Sequence, residues 1–223
     1  MRYRWFLTVA LAAPSLAQGL HFGLKAGVPA TEYFETGRFG TRISSGEYSA
    51  ATRRYTVGAA VEWRVTRSAG LELDALYKRM GYVGIVTFFS NGISTTSEYD
   101  AKGNSWEFPL LAKYRFGRGV RPYIAGGGVL RYIGPVRARG QVTVVDLINR
   151  TTTHGPIDTS DPSDLRKRVY PGLAAAGGIE FGLGRLRLLP ELRYTHWTAN
   201  IAGPGGVLRF APNQVEFLLG LLF

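Results

Sequence analysis

The sequence predicts an all-β protein, namely a closed antiparallel up-and-down barrel of eight strands that crosses a membrane. Apolar and polar residues alternate with period two in eight separate segments of the 223-residue chain. The connections between these segments are alternately short and long. The composition, with 29 glycines, 12 tyrosines and 12 phenylalanines, favours strands joined by tight turns over helices. A barrel of this length is routinely one domain.

The first 17 residues predict a secretory signal peptide. Two arginines open the segment, an apolar run follows over 5–13, and the segment ends in the small residues Ser15 and Ala17. The apolar run is too short to span a hydrocarbon layer of ~30 Å. We therefore expect cleavage after Ala17 and a mature barrel domain covering residues 18–223.

The alternation is clearest in the first predicted strand. Leu20, Phe22 and Leu24 share one parity, whereas Lys25 falls on the other. Seven further segments repeat this pattern, and the third continues past Tyr82 toward Phe89. The predicted strands cover residues 20–28, 54–65, 71–89, 106–116, 121–133, 169–183, 186–197 and 213–223.

The connections predict which rim of the barrel carries the loops. Asn91-Gly92 is a tight-turn signal, and residues 141–148 could form a projecting hairpin arm within a long insertion. Outer-membrane barrels have short periplasmic turns and long extracellular loops, and we expect the same division here. Short connections are predicted near 66–69, 117–120 and 184–185, and long ones near 29–53, 83–104, 134–168 and 198–212.

Residue type indicates which face of each strand meets lipid. A soluble barrel such as a lipocalin also alternates but points its apolar parity inward, and a secreted lipocalin-like carrier is therefore an alternative. Here the polar parity carries acids and bases of both signs, which can pair across a narrow lumen, because an unpaired buried charge costs several kcal/mol. The predicted lumen charge network is Lys25, Glu62, Arg64, Glu72, Asp74, Lys78, Glu107, Lys113, Arg115, Arg131, Glu180, Glu191, Arg193 and Glu216.

The apolar parity carries aromatic residues near the strand ends. Such a distribution is typical of the interfacial girdles of membrane barrels, where the rings lie at headgroup level. It therefore favours the membrane interpretation over the soluble one. The predicted girdle is Trp63, Tyr77, Trp106, Tyr114, Tyr132 and Tyr194.

The last strand resembles the terminal strand of bacterial outer-membrane proteins, which looks like the signal read by the barrel-insertion machinery. The residues that carry this resemblance are Phe217, Leu219, Leu221 and Phe223. With Arg121-Pro122-Tyr123-Ile124 before a glycine run, and with Glu191-Leu192-Arg193-Tyr194, the chain resembles the OmpA-like or PorT-like outer-membrane β-barrel family over nearly its whole mature length. The resemblance implies a location in the bacterial outer membrane and a transient partnership with the barrel-assembly machinery.

The charge and the missing residue types limit the chemistry. The formal charge of +11 becomes +9 without Arg2 and Arg4, and such a surface attracts outer-membrane lipid and lipopolysaccharide, whereas an exported chain rarely meets nucleic acid. There is no cysteine, which excludes disulfides and thiolate metal sites. Asp158, Asp161 and Asp164 do not have the spacing of a calcium loop. We expect a monomer without cofactor or metal.

One short segment is similar to a catalytic element. His196 and Thr198 correspond to the His-x-Ser element of the lipid A deacylase (PagL-like) barrels, in which the histidine activates a hydroxyl for ester hydrolysis. Threonine replaces the serine, and the next acid, Glu216, has the opposite parity. We expect a non-enzymatic barrel with a structural or surface-interaction role, and a deacylase-like esterase is the alternative. A pore is a third hypothesis, although eight strands leave an interior that side chains just fill.

Overall fold

The computed structural model describes residues 19–160, 168–199 and 208–223. The predicted signal peptide and two of the three aspartates of the long insertion, Asp161 and Asp164, lie outside the described residues. Among the described residues, no helix is long and apolar enough to cross a membrane. The strands in chain order are β1 (Leu20–Pro29), β2 (Phe34–Glu35), β3 (Gly37–Gly40), β4 (Ser44–Ala50), β5 (Thr56–Arg64), β6 (Ala69–Ser90), β7 (Ile93–Arg115), β8 (Arg121–Asp146), β9 (Thr151–Ser160), β10 (Val169–Leu183), β11 (Leu186–Trp197), β12 (Arg209–Phe210) and β13 (Asn213–Leu222).

Eight of the described strands close into an antiparallel ring in the order β1, β5, β6, β7, β8, β10, β11 and β13. The ring closes because β13 pairs with β1, with Ala26 opposite Leu219. Neighbours in sequence are neighbours in the ring, as in an up-and-down barrel. The predicted fold class and the eight predicted strands are therefore confirmed.

Three connections that we predicted as long loops contain much additional strand. Strand β6 continues to Ser90, in agreement with its predicted extension toward Phe89. Strand β7 already begins at Ile93, so residues 83–104 form a hairpin, and the part after the turn is strand instead of the predicted loop. The turn at Asn91 and Gly92 has positive φ values of 50° and 76°, which confirms the tight-turn prediction. The alternation was hidden because serine and threonine occupy both faces of this hairpin.

The insertion after residue 133 is also mostly strand. Strand β8 runs on to Asp146 and pairs with β9 after a turn at residues 147–150. The arm is thus longer than the predicted hairpin over 141–148. Its turn lies at residues 147–150, at the C-terminal end of the predicted range. In the first connection, β3 and β4 form a hairpin that pairs with the outer half of β6. Together these strands form one extension of the ring, which we call the arm sheet (residues 37–50, 79–104 and 134–160).

A β-bulge separates the ring from the arm sheet. Gly103 pairs with Val136, but Ser105 pairs with Ile133, so β8 contains one extra residue at this point. The extra residue changes the inward parity of β8. Arg131 and Ile133 are buried below the bulge, and Val136 and Ala138 are buried above it.

The mouth of the ring on the long-loop side is filled by aromatic side chains. Strands β2 and β12 come from two separate connections and pair with each other, Phe34 opposite Phe210. Their rings stack with centroids 5.0 Å apart, and Tyr170 meets Phe210 edge-on at 4.8 Å. We call this group the aromatic cap, and its buried members are Tyr33, Phe34, Tyr82, Tyr170, Trp197 and Phe210.

Candidate functional site: the barrel interior and its two rims

The strand pleat directs the polar parity inward and the apolar parity outward. Phe22, Trp106 and Phe217 are 52%, 39% and 60% exposed, although they are large and apolar. Of the fourteen residues predicted for the lumen charge network, thirteen are buried, and Arg64 is partly buried. This arrangement is the reverse of a soluble carrier barrel, whose apolar side chains fill the interior.

Lys25 is the centre of the middle layer of the interior. Its Nζ lies 2.5 Å from Glu72, 3.0 Å from Asp74 and 3.5 Å from Glu191. The guanidinium of Arg193 contacts two of the same carboxylates, Asp74 at 2.7 Å and Glu191 at 2.6 Å. Three strands, β1, β6 and β11, therefore meet through charged side chains in one layer.

The layer nearest the short turns is organised around two carboxylates. Glu62 pairs with Arg115 and accepts a hydrogen bond from Nε of Arg64 at 2.8 Å. Glu180 accepts from Arg64 at 2.7 Å and from Nε of Arg115 at 2.6 Å. Lys113 connects this layer to the middle one, because it pairs with Glu62 at 3.4 Å and also with a carboxylate of the middle layer.

The layer nearest the long loops joins the charges to the aromatic cap. Lys78 lies 2.8 Å from Glu107 and 3.0 Å from Glu216. Arg131 pairs with Glu107 at 2.9 Å, and its guanidinium lies 3.7 Å from the ring centroid of Trp197, as in a cation–π interaction. Contacts between charged side chains thus run through the interior without a break from the short turns to the aromatic cap.

The fourteen predicted residues comprise seven cations and seven carboxylates, so their formal charges cancel. Sequence reasoning missed three interior residues that their parity could have revealed. Arg121 and Tyr123 share the parity of Arg131 on β8, and Arg187 shares that of Arg193 on β11. The hydroxyl of Tyr123 donates to Glu191 at 2.9 Å.

Three of the predicted girdle residues form one row across the outer face of neighbouring strands. Tyr77 on β6 is opposite Trp106 on β7, which is opposite Tyr132 on β8. Trp63 and Tyr114 lie near the short turns, and Tyr194 lies near the long-loop end of β11. The placement gives two levels of outward aromatic side chains, one toward each end of the ring.

Cationic side chains lie directly above the aromatic row. Arg79 follows Tyr77 by two residues on the same face of β6, and Lys102 is opposite Arg137 on the next strand pair. Arg139 lies two residues further along β8, opposite Asp100. We call these four exposed residues, namely Arg79, Lys102, Arg137 and Arg139, the cation ladder.

Two carboxylates only partly neutralise the ladder. Asp158 on β9 receives two hydrogen bonds of 2.6 Å from Arg137, which hold the pKa of its carboxyl below the ordinary value. Asp100 pairs with Lys102. Among the described residues, no ion pair of 4 Å or less is formed by Arg79. The ladder therefore keeps an excess of positive charge on the outer face.

The structure does not join His196 and Thr198 by a hydrogen bond. Nδ1 of His196 lies 2.8 Å from Oδ1 of Asn213, which also accepts from the hydroxyl of Tyr194 at 2.7 Å. The hydroxyl of Thr198 instead donates to the backbone carbonyl of Pro171 at 2.9 Å. In the described part of the chain, no group of three side chains could hold a metal ion.

The terminal strand presents its predicted assembly residues to the outside. The side chains of Phe217, Leu219, Leu221 and Phe223 are all exposed on one face of β13 or just beyond it. The other parity points inward and includes Gln214, Glu216 and Leu218. The role of these four residues in assembly stays a prediction.

A family model described as "Outer membrane protein beta-barrel domain" matches residues 14–196. The chain belongs to this family. Membership places the outer membrane β-barrel domain protein in the bacterial outer membrane, as the residue pattern predicted. Among curated proteins, none matches the chain.

Three solved structures similar to this outer membrane β-barrel domain protein are distant in sequence. OprG from Pseudomonas aeruginosa is 13% identical, with 92% of this chain and 94% of that chain covered and a TM-score of 0.45. Ail from Yersinia pestis, solved with the heparin analogue sucrose octasulfate, is 10% identical, with coverages of 92% and 99% and a TM-score of 0.39. Neisserial surface protein A is 11% identical, with coverages of 92% and 97% and a TM-score of 0.38.

Proposed function

We propose that the protein is a closed, non-enzymatic outer-membrane barrel that acts at the cell surface, where its cation ladder binds the phosphate groups of lipopolysaccharide. The observation that carries this proposal is the position of the ladder directly above the row of Tyr77, Trp106 and Tyr132. Aromatic rings of this kind sit at the boundary between hydrocarbon and headgroups. Two residues of strand span about 7 Å, so the cations begin at the level of the headgroup phosphates.

The arm sheet gives the ladder its fixed geometry. Lys102, Arg137 and Arg139 project from paired β-strands, and each therefore has a defined neighbour across the sheet. Guanidinium and ammonium groups donate charge-assisted hydrogen bonds to phosphate oxygens. The proposal also includes export through a signal peptide cleaved after Ala17, which the basic, apolar and small-residue order of the first 17 residues supports.

Lipid A binding by purified variants in zwitterionic detergent tests the surface proposal. We expect the double substitution Arg79→Ser and Arg139→Ser to weaken binding about 30-fold, because each cation near an anionic surface contributes about 1 kcal/mol. Arg42→Ser with Arg150→Ser is the matched control, since it removes the same charge from exposed positions away from the aromatic row. Equal losses in the two double variants would mean that the ladder is not the binding site.

The same proposal predicts that the barrel does not conduct ions. Charged side chains fill the ring in three connected layers, and the aromatic cap covers them on the long-loop side. Planar-bilayer recordings of the wild-type protein are expected to stay at the baseline, while the heat-dependent gel mobility of the recovered sample shows that folded barrel was present. Discrete conductance steps from the folded protein would refute the closed lumen.

A further inference from the structure

A second cationic region lies at the opposite rim, between the short turns. A cavity of about 950 Å³ is lined there by residues of the three turns and by the ends of the adjoining strands. Its charged lining consists of five arginines and one carboxylate, namely Arg64, Arg67, Arg118, Arg121, Arg187 and Glu180. A cavity of this size accommodates a small ligand.

The lining of this cavity carries an excess of positive charge. Arg64 and Glu180 belong to the charge-balanced set of fourteen, so the other four arginines of the lining have no counterpart inside the ring. Arg67 and Arg118 lie in exposed turns. Five arginines around one carboxylate repel each other, and an anion placed between them would relieve that repulsion.

More guanidinium donors surround Glu180 than its carboxylate can accept hydrogen bonds from. Arg64 and Arg115 donate to it, Arg121 pairs with it, and Nε of Arg187 stays 3.9 Å away. A carboxylate offers about four lone-pair sites, and the first three guanidiniums occupy them. The guanidinium of Arg187 is therefore left with donors that no carboxylate accepts.

The polar atoms around Arg187 show the same deficit of acceptors. Its Nη1 is buried and has no hydrogen-bond partner in the described part of the chain. Its Nη2 lies 3.2 Å from Nε2 of His21, which must accept this bond because a guanidinium only donates. Buried donors without partners cost free energy, so this rim is suited to a ligand rich in acceptor oxygens.

We infer that this cavity is a binding site for a phosphate group, which Arg67, Arg118 and Arg187 hold at the short-turn rim. Phosphate fits because its oxygens accept several guanidinium hydrogen bonds at once and its charge offsets the excess. The group could belong to a free phosphate compound or to the headgroup of a phospholipid of the adjacent leaflet. This inference is independent of the lipopolysaccharide surface, which lies at the other end of the ring.

Two probes on the same set of refolded variants test the inference. Calorimetric titration with pyrophosphate in zwitterionic detergent reports a free phosphate, and native mass spectrometry after addition of phosphatidylglycerol or phosphatidylcholine reports a retained lipid. The test variant is Arg67→Ser with Arg118→Ser, whose side chains are exposed and outside the interior charge network. The matched control is Arg185→Ser with Arg42→Ser, because Arg185 is on the same rim but does not line the cavity.

We expect saturable binding of one ligand per barrel, weakened about tenfold or more in the test variant and unchanged in the control, since the test variant loses two guanidiniums that donate charge-assisted hydrogen bonds. Saturation by pyrophosphate assigns the site to free phosphate compounds. Retention of one phosphatidylglycerol, without pyrophosphate binding, assigns it to a lipid headgroup. Binding that is absent, not saturable or equally weakened in both variants would overturn the inference. Heat-dependent gel mobility verifies that each variant is folded.

Discussion

The ring and the arm sheet share three strands, β6, β7 and β8, yet they place charge on opposite faces. In the ring, Glu72 and Asp74 of β6 point inward and Leu73 points outward. In the arm sheet, Met80 and Tyr82 of the same strand are buried, and Arg79 is exposed. The change occurs within a few residues, just above the aromatic row.

The difference follows from what surrounds each region. Lipid outside the ring accepts only apolar side chains, and the charges must therefore pair inside. Water outside the arm sheet solvates charges, so apolar side chains are buried there as in a soluble protein. One strand can thus pass from lipid to water if its inward residues change from charged to apolar, and its outward residues from apolar to charged, where it leaves the membrane.

Removing an interior cation should be the most damaging test of this comparison. Lys25→Met removes a cation that the buried carboxylates of Glu72, Asp74 and Glu191 all contact, and breaking such a buried pair costs about 3–5 kcal/mol. Arg137→Met in the arm sheet removes an exposed pair and should cost far less, because exposed ion pairs contribute little to stability. Urea unfolding in micelles measures both. Similar costs would show that the two regions do not differ electrostatically.

Exchanging residue types on the outer face of β7 should have a smaller effect. Leu110 and Lys102 share this face on opposite sides of Trp106, which marks the proposed membrane boundary. Leu110→Lys should cost about 2–4 kcal/mol in a bilayer, because a cation then faces hydrocarbon. Lys102→Leu should change stability by about 0.5 kcal/mol or less, as for most exposed positions. Unfolding in lipid vesicles gives both values, and a cost at Lys102 that matched the cost at Leu110 would contradict a boundary between them.

Acidification should produce the smallest effect and only in the arm sheet. The pKa of Asp158 is lowered by Arg137 in the folded state, so their interaction is complete above the unfolded value of about 3.9. It is lost as the pH falls through the lower, folded value. We expect reduced amide protection in β9 below pH about 4, while the ring strands keep theirs.

The variant Asp158→Asn isolates this titration from that of Asp146. The carboxyl of Asp146 also has a lowered pKa, because it accepts hydrogen bonds from the backbone of Asn149 and Ile148 at the arm tip. Hydrogen exchange in the variant should no longer show the acid-dependent step in β9. An unchanged step would assign it to the tip turn.

The ring could be predicted from the sequence because lipid imposes a strict alternation on every ring strand. The same alternation placed Tyr77, Trp106 and Tyr132 on the outer face, where the structure has them in one row. The arm sheet was harder to predict, because water tolerates serine and threonine on both faces. The inward position of Arg121 and Arg187 could have been predicted from their parity, since each lies on an alternating strand.

The aromatic cap could not be predicted in this way. Tyr33, Phe34 and Phe210 lie in connections without any repeat, and two of them pair across most of the chain. Only the three-dimensional closure of the ring brings the two connections together. Such contacts depend on tertiary structure, which no local pattern encodes.

The bulge beside Gly103 restricts how the outer hairpins of this barrel can change length. Successive side chains of a strand point to opposite faces of the sheet. Adding or deleting two residues in one strand therefore leaves every later side chain on the same face as before. A single deletion at the bulge would instead turn Arg137 and Arg139 inward and Val136 and Ala138 outward. The hairpins can therefore lengthen or shorten by even steps, and an odd step is tolerated only with a second, compensating bulge.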